Sequence, residues 1–176
     1  MHRHFTGSDN MNLSEKALQV CNFLDNIGIE YKTVTHSPAY TLEECRKINE
    51  IIGGTICKNL LLKTDSGKVI YLLLIKDGKR FVTKDVSKKL ACSRLSFAPD
   101  EYMENLLNTT AGSLSITSLI FDKEKKVLLA IDSDVASEEY ICCHQSDNTA
   151  TLKIKTEDIL NVFLPFLGIT PEIIEI

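Results

Sequence analysis

The chain has 176 residues, of which 44% are hydrophobic and 25% charged, with a net charge of −4. That is enough chain for one domain with a sizeable core, no apolar run approaches the ~20 residues that cross a bilayer as a helix, and the net acidity argues against a protein that coats nucleic acid. The charge is unevenly spread: residues 76–94 hold seven basic and two acidic side chains, and residues 95–176 hold five and fourteen.

The first twelve residues are polar, with no apolar signal core or cleavage pattern, and read as a tail ahead of one domain over residues 13–176. Ser14 suits an N-cap, and Ala17, Val20, Cys21, Leu24 and Ile27 recur at helical spacing until Gly28 ends the element. Residues 31–34 read as a short strand. A loop through His36, Ser37 and Pro38 follows, then a helix starting at Thr41 with Glu44 placed for a capping box.

After Gly53-Gly54 comes an apolar run that opens on a cation and an amide, Lys58 and Asn59. Leu60 to Leu62 and Val69 to Ile75, with Asp65-Ser66-Gly67 between them, predict two buried strands joined by a tight turn. Lys58 therefore enters a sheet at a fixed place, where an ammonium suits an anionic ligand. The bland alternative is a lysine that lays its stem over the sheet and keeps its head in water.

Asp77-Gly78 marks a turn, Phe81-Val82 a short strand, and residues 83–90 a basic helix. Residues 96–101 predict a loop that runs into a helix, with Pro99 at its start and Leu106-Leu107 at its close. The small, hydroxyl-rich stretch at residues 108–118 reads as a binding loop or an irregular strand. Strands follow at 127–131, 140–143 and 149–154, and Thr156-Glu157-Asp158 caps a helix that stops at Leu164, before Pro165. Helices alternate with hairpin-prone strands without a βαβ rhythm, which favours an α+β fold.

Six dispersed cysteines without CxxC spacing read as reduced thiols, and with the absent signal peptide they point to the cytoplasm. Cys142, Cys143 and His144 lack metal-ligand spacing, so no metal is expected. GxSxG, P-loop, dinucleotide and HExxH patterns are all missing, which removes the usual support for nucleophilic hydrolase, nucleotide and zincin chemistry. His36 and His144, the two histidines outside the tail, read first as structural hydrogen-bonders.

Five segments in order resemble the YbaK/prolyl-tRNA-synthetase-associated family, and within it the free-standing Ala-tRNA(Pro) deacylases. They are His36-Ser37-Pro38 with Thr41-Leu42-Glu43-Glu44, Lys58 to Lys63, Arg94-Leu95-Ser96-Phe97-Ala98, Gly112-Ser113-Leu114-Ser115, and His144 to Thr151. The resemblance implies a curved, mixed, mainly antiparallel sheet closing towards a pseudo-barrel with helices around it, and a cofactor-free enzyme that hydrolyses the ester of a mischarged tRNA.

It further implies that Lys58 is essential beside the terminal nucleotide, that Asn59 adjoins it, that the Gly112 to Ser115 loop shapes the pocket, and that His144, with His36, lines the amino-acid side. No side-chain nucleophile is needed, because the neighbouring ribose hydroxyl helps to activate water. Backbone N–H groups around the loop would then stabilise the oxyanion.

The implied partners are the tRNA 3′ acceptor end and prolyl-tRNA synthetase, with no membrane, and Lys79, Arg80, Lys84 and Lys88 are the candidates for guiding the acceptor stem. Two departures stand out. Ile116 occupies the place of the usual loop proline, freeing φ and adding a backbone donor, and Gln145 stands where His-Pro is common. A non-catalytic module that binds tRNA or an amino-acid-like ligand is the second reading. A generic interaction domain whose basic edge binds an acidic protein is the third.

Overall fold

The computed structural model describes residues 4–5, 13–38 and 42–176. Their elements run β1 (His4–Phe5), α1 (Glu15–Asn26), β2 (Tyr31–Thr35), α2 (Leu42–Ile52), β3 (Thr55–Thr64), β4 (Ile70–Lys76), α3 (Thr83–Lys89), β5 (Leu95–Phe97) and α4 (Asp100–Leu107). A 3₁₀ helix (Ile116–Phe121), β6 (Val127–Asp132), α5 (Ser133–Ala136), β7 (Tyr140–His144) and β8 (Ala150–Lys155) follow. Then α6 (Thr156–Asp158), a π-helical turn (Ile159–Phe163) and α7 (Leu164–Leu167) run on without a break into the last strand, β9 (Glu172–Ile174).

All nine strands form one mixed sheet in the order β1-β2-β8-β7-β3-β4-β6-β9, with β5 beside β3. The α+β class holds, but the sheet is open: β1 and β9 end it without pairing with each other. The longest ladder is the antiparallel β3–β4 hairpin, from Cys57↔Lys76 to Lys63↔Ile70. Parallel pairs β1–β2, β3–β7, β4–β6 and β6–β9 account for the mixture.

The sheet is covered on both faces, which explains why β4 reads as an unbroken apolar run. Side chains alternate across a strand: Leu72 and Leu74 enter the main core with Leu24 of α1, Ile116, Leu119 and Phe163, whereas Tyr71, Leu73 and Ile75 enter a second core with Val86 and Leu90 of the α3 segment. A third, smaller cluster of Val34, Ile52 and Cys142 lies under α2. Truncating a fully buried leucine such as Leu72 to alanine removes about 2 to 5 kcal/mol.

α1 begins as expected, with the Ser14 hydroxyl accepting from the Ala17 N–H at 3.2 Å, and Gly28 follows its C-cap at φ +76°. The helix start at Thr41, and with it the capping box expected with Glu44, lies outside the described residues. Within the expected tail, His4–Phe5 pairs with β2, and the remainder of residues 1–12 also lies outside them.

Four expectations are corrected. Phe81-Val82 is not a strand, because Val82 caps α3 and its carbonyl accepts from Asp85 and Val86. Ser96-Phe97, expected in a loop, belongs to β5, a strand too short to show a period. Within residues 108–118, expected as a binding loop or an irregular strand, residues 116–118 open a 3₁₀ helix that runs on to Phe121. The last helix passes through Pro165 to Leu167, the π turn just before it having already broken the regular hydrogen-bond ladder that a proline would disrupt.

Gly54 stands at φ +114°, and a Cβ there would lie 2.9 Å from Cys142 Sγ of β7. Both the conformation and the space require glycine. Gly54→Ala is therefore expected to cost about 1 to 3 kcal/mol, read as a lower urea midpoint at unchanged slope.

Candidate active site

β3 and β7 run parallel but pair only at Thr55↔Ile141 and Ile56↔Cys142. Further along, the outer edge of β3 is taken by β5, at Leu62↔Phe97 to Thr64↔Leu95. The sheet is thus split beside residues 57–61. Leu61 C=O accepts from Ala98 N–H on this edge at 2.9 Å, so by alternation the backbone of Asn59 faces the split as well.

Lys58 and His144 each lie two residues past the last β3–β7 pair, and both project from the face that carries Cys142. The Lys58 side chain is about a quarter exposed, and its Nζ donates to Lys79 C=O at 3.4 Å and lies 3.8 Å from Asp77 Oδ1. Asp77 is held more tightly by Arg46 of α2, at 2.8 Å, and by the Gly78 N–H, also at 2.8 Å. Burial alone would raise the Asp77 carboxyl, but Arg46, Gly78 and Lys58 outweigh it and hold the group below the ordinary aspartate value.

His36 and His144 come together across β8. The His36 ring accepts at Nε2 from Thr151 Oγ1, 2.9 Å away, because its Nδ1–H is given to the Ser37 carbonyl at 2.8 Å. His144 pairs with the same Thr151 across β7–β8, and the two ring centroids are 6.3 Å apart. His144 Nδ1 faces the Ala150 carbonyl at 3.4 Å. Burial lowers the His144 pKa below the ordinary 6.5 and nearby His36 adds to this, against the opposing pull of the Ala150 carbonyl and Asp147.

Asn59 and the glycine-serine loop fall on the opposite face, that of the main core. Asn59 Nδ2 donates to the Cys57 carbonyl at 3.2 Å, and its buried Oδ1 has no partner among the described residues. Gly112 is the exposed tip of its loop at φ +86°, while Ser113, Leu114, Ser115 and Ile116 are buried. Two backbone donors of this loop are already used, Ser113 N–H on Thr110 C=O and Ser115 N–H on Ser118 Oγ. The expected set of oxyanion donors is reduced accordingly.

The loop nevertheless touches the histidine strand. Thr117 Oγ1 donates to His144 C=O at 2.7 Å, and Ser118 and Ser146 hydroxyls are bonded at 2.8 Å. Thr117, Thr151, Arg46 and Asp77 all support the expected residues and were missed in the sequence. The one local signal was Asp77-Gly78, read there only as a turn.

The basic segment is partly neutralised. Lys79 Nζ is held by Asp132 at 2.8 Å and Asp134 at 2.7 Å, and Lys76 is paired with Glu138. Arg80, Lys84 and Lys88 are exposed, the last two one helical turn apart on α3. Cys57 and Cys142 have thiols pushed up by burial, to about 12 and about 11, which leaves them protonated and unsuited to attack.

Residues 36–162 match the model of the aminoacyl-tRNA editing domain. The chain belongs to that family. It is an ester hydrolase of the aminoacyl-tRNA editing type, and the earlier resemblance is borne out. It is 29% identical over 136 residues to the prolyl-tRNA editing protein ProX of Acetoanaerobium sticklandii, covering 77% of this chain and 83% of that one. A Danio rerio prolyl-tRNA synthetase associated domain-containing protein 1 is 27% identical over 154 residues, 86% of this chain and 83% of that protein. The fold matches the crystal structure of a proposed trans-editing enzyme for prolyl tRNA synthetase with a TM-score of 0.72 at 17% identity, covering 94% of this chain and 99% of that one. No helix among the described residues of this editing domain is long and apolar enough to cross a membrane.

Because the folded protein disfavours protonated His144 while the unfolded chain takes up the proton near 6.5, stability linked to this group is present above that pH and lost as the pH falls below it. Ring resonances of His144 should titrate below 6.5, and His144→Gln should remove part of the acid-induced loss of stability seen in denaturant titrations.

Proposed function

We propose that the protein hydrolyses Ala-tRNA(Pro) as a trans-editing factor, with Lys58 as the essential side chain. The observation that carries this reading is the shared face of Lys58, His36 and His144 beside the split between β3 and β7, in a chain of the editing family. The names of the relatives, ProX and the prolyl-tRNA synthetase associated protein, support proline tRNA as the carrier and prolyl-tRNA synthetase as a partner in use. The physical need is plain: a pocket built for proline discriminates weakly against a smaller side chain, since each missing methylene changes binding by only about 1 to 3 kcal/mol. A second, smaller site is required to clear the error.

In the reaction, a water oxygen adds to the ester carbonyl carbon, negative charge develops on the carbonyl oxygen, and the ribose oxygen leaves with a proton. The Lys58 ammonium is suited to the developing charge or to the adjoining phosphate. Asn59, expected beside Lys58, turns its buried Oδ1 to the main-core face, without a protein donor among the described residues, so only its backbone faces the split. The neutral His144 ring, 6.3 Å from that of His36, suits a wall that limits side-chain size. The terminal ribose hydroxyl completes the set by orienting the water, so no side-chain nucleophile is called for.

Incubation with Ala-, Ser- and Cys-tRNA(Pro), following loss of the ester, tests both reaction and substrate. Ala-tRNA(Pro) should be cleared fastest. Lys58→Ala should lower the rate by about 10² to 10³ while the thermal midpoint stays close to wild type, because the side chain is partly exposed and its carboxylate neighbour keeps Arg46. Full activity in that variant would remove Lys58 from the site.

A further inference from the structure

We infer that Phe97, braced by Phe81, is a stacking platform for an unpaired base of the tRNA 3′ end, with Arg80, Lys84 and Lys88 taking the adjoining phosphates. The inference rests on the deacylase reading and extends it to how the acceptor end is held. Isolated exposed aromatics are ordinary, but this one is not isolated. Phe97 is 59% exposed and meets Phe81 edge to face with centroids 5.9 Å apart, and Val82, the next residue in the chain after Phe81, is 58% exposed.

The position of this pair relative to Lys58 is set by the sheet. Phe97 is the cross-strand partner of Leu62, so its side chain projects from the face that carries Leu60 and Lys58. The Lys58 ammonium in turn bonds to Lys79 C=O, two residues before Phe81. The aromatic pair therefore lies on the same face as the proposed reactive lysine, next along the chain from the segment that lysine touches. β5 is fastened to α3 by Leu95 N–H donating to Ser87 Oγ at 3.0 Å, which brings the Lys84 and Lys88 helix beside Phe97.

The surrounding charge selects the occupant. Lys76 and Lys79 are occupied by carboxylates, but Arg80, Lys84 and Lys88 are exposed and have no ion pair among the described residues. An exposed ring beside uncommitted cations, on the face of an anion-seeking lysine, fits a strand that offers flat bases and phosphates in alternation. Stacking is tolerant of base identity, which suits the invariant end shared by all tRNAs, and it is worth about 1 to 3 kcal/mol per base.

The test titrates wild-type and Phe97→Ala protein with an uncharged RNA hairpin whose unpaired 3′-terminal ACCA carries 2-aminopurine in place of one adenine, with the blunt hairpin as control. The wild type should prefer the overhang and change its fluorescence. Phe97→Ala should bind the overhang roughly 5- to 150-fold more weakly with an unchanged thermal midpoint, and Phe97→Tyr should restore binding. Lys84→Gln with Lys88→Gln should flatten the salt dependence, by about 1.4 in slope for two single-strand phosphate contacts, whereas Phe97→Ala should leave the slope alone.

Equal affinity of wild type and Phe97→Ala, equal binding of blunt and overhanging hairpins, or equal competition by poly-glutamate would overturn the platform, the last in favour of an acidic protein. The two readings fail separately. Ester turnover with Phe97-independent RNA binding refutes the platform and leaves the deacylase, and Phe97-dependent binding without turnover of any mischarged tRNA does the reverse.

Discussion

The approach of Gly54 to Cys142 determines where β3 meets β7, and the site depends on that contact. With no side chain on Gly54, the two parallel strands close at Thr55↔Ile141 and Ile56↔Cys142, then part. The parting could have left β3 with an unpaired edge in the middle of the sheet. Instead β5 takes up the edge from Leu62 onward, so that only a short window is left open. Parallel strands diverging at their carboxyl ends are a recurrent location for ligand crevices, and here Lys58 and His144 stand at equal distance past the closure.

Two places where this chain lacks a proline are stiffened by other means. Ile116 is fully buried in the main core, and the turn before it is held by a capping box in which Ser115 and Ser118 each serve the other's backbone. Gln145 is also fully buried: its Nε2 donates to Thr33 Oγ1 at 2.6 Å and its Oε1 accepts from Cys21 Sγ at 3.7 Å. A side chain anchored to α1 and β2 restrains the backbone after His144 through three dimensions, where a proline ring would restrain only φ. The loss of rigidity expected from the two replacements does not follow once these bonds are counted, because each freed backbone position is tied to the core by hydroxyl or amide groups.

How much of this was legible in the chain differs by element. α1, β2 and the β3–β4 hairpin followed from period, capping and turn chemistry, which are local. β5 and β9 were not legible, being three residues each and defined only by the strand edge they cover. The proline-bearing last helix was misjudged because the sequence rule assumes a regular helix ahead of the proline, and a π turn stands there instead. At the site, the pairing of His36 with His144 across Thr151 depends on the β2–β8–β7 order, a long-range fact that no spacing announces. Adjacency in sequence also misled: Lys58 and Asn59 are neighbours whose side chains, by strand alternation, serve opposite faces.

The charge asymmetry along the chain has an internal use as well as an external one. The acidic carboxyl-terminal part supplies Asp132, Asp134 and Glu138 to Lys79 and Lys76, so the turn after β4 is fastened to β6 and α5 by ion pairs. That turn presents the Lys79 carbonyl to the Lys58 ammonium. Asp77, the carboxylate nearest to Lys58, is at the same time drawn to Arg46 at 2.8 Å, a full ångström closer than it lies to Lys58. Arg46 bonds the Oδ2 of this carboxylate while Oδ1 faces Lys58, so the anion is shared between the two cations, and Lys58 is oriented by a neutral carbonyl at 3.4 Å as well as by the carboxylate. In the proposed reaction an ammonium so oriented has little freedom to lose on meeting an ester oxyanion or a phosphate, which is the preorganisation that such an anion requires.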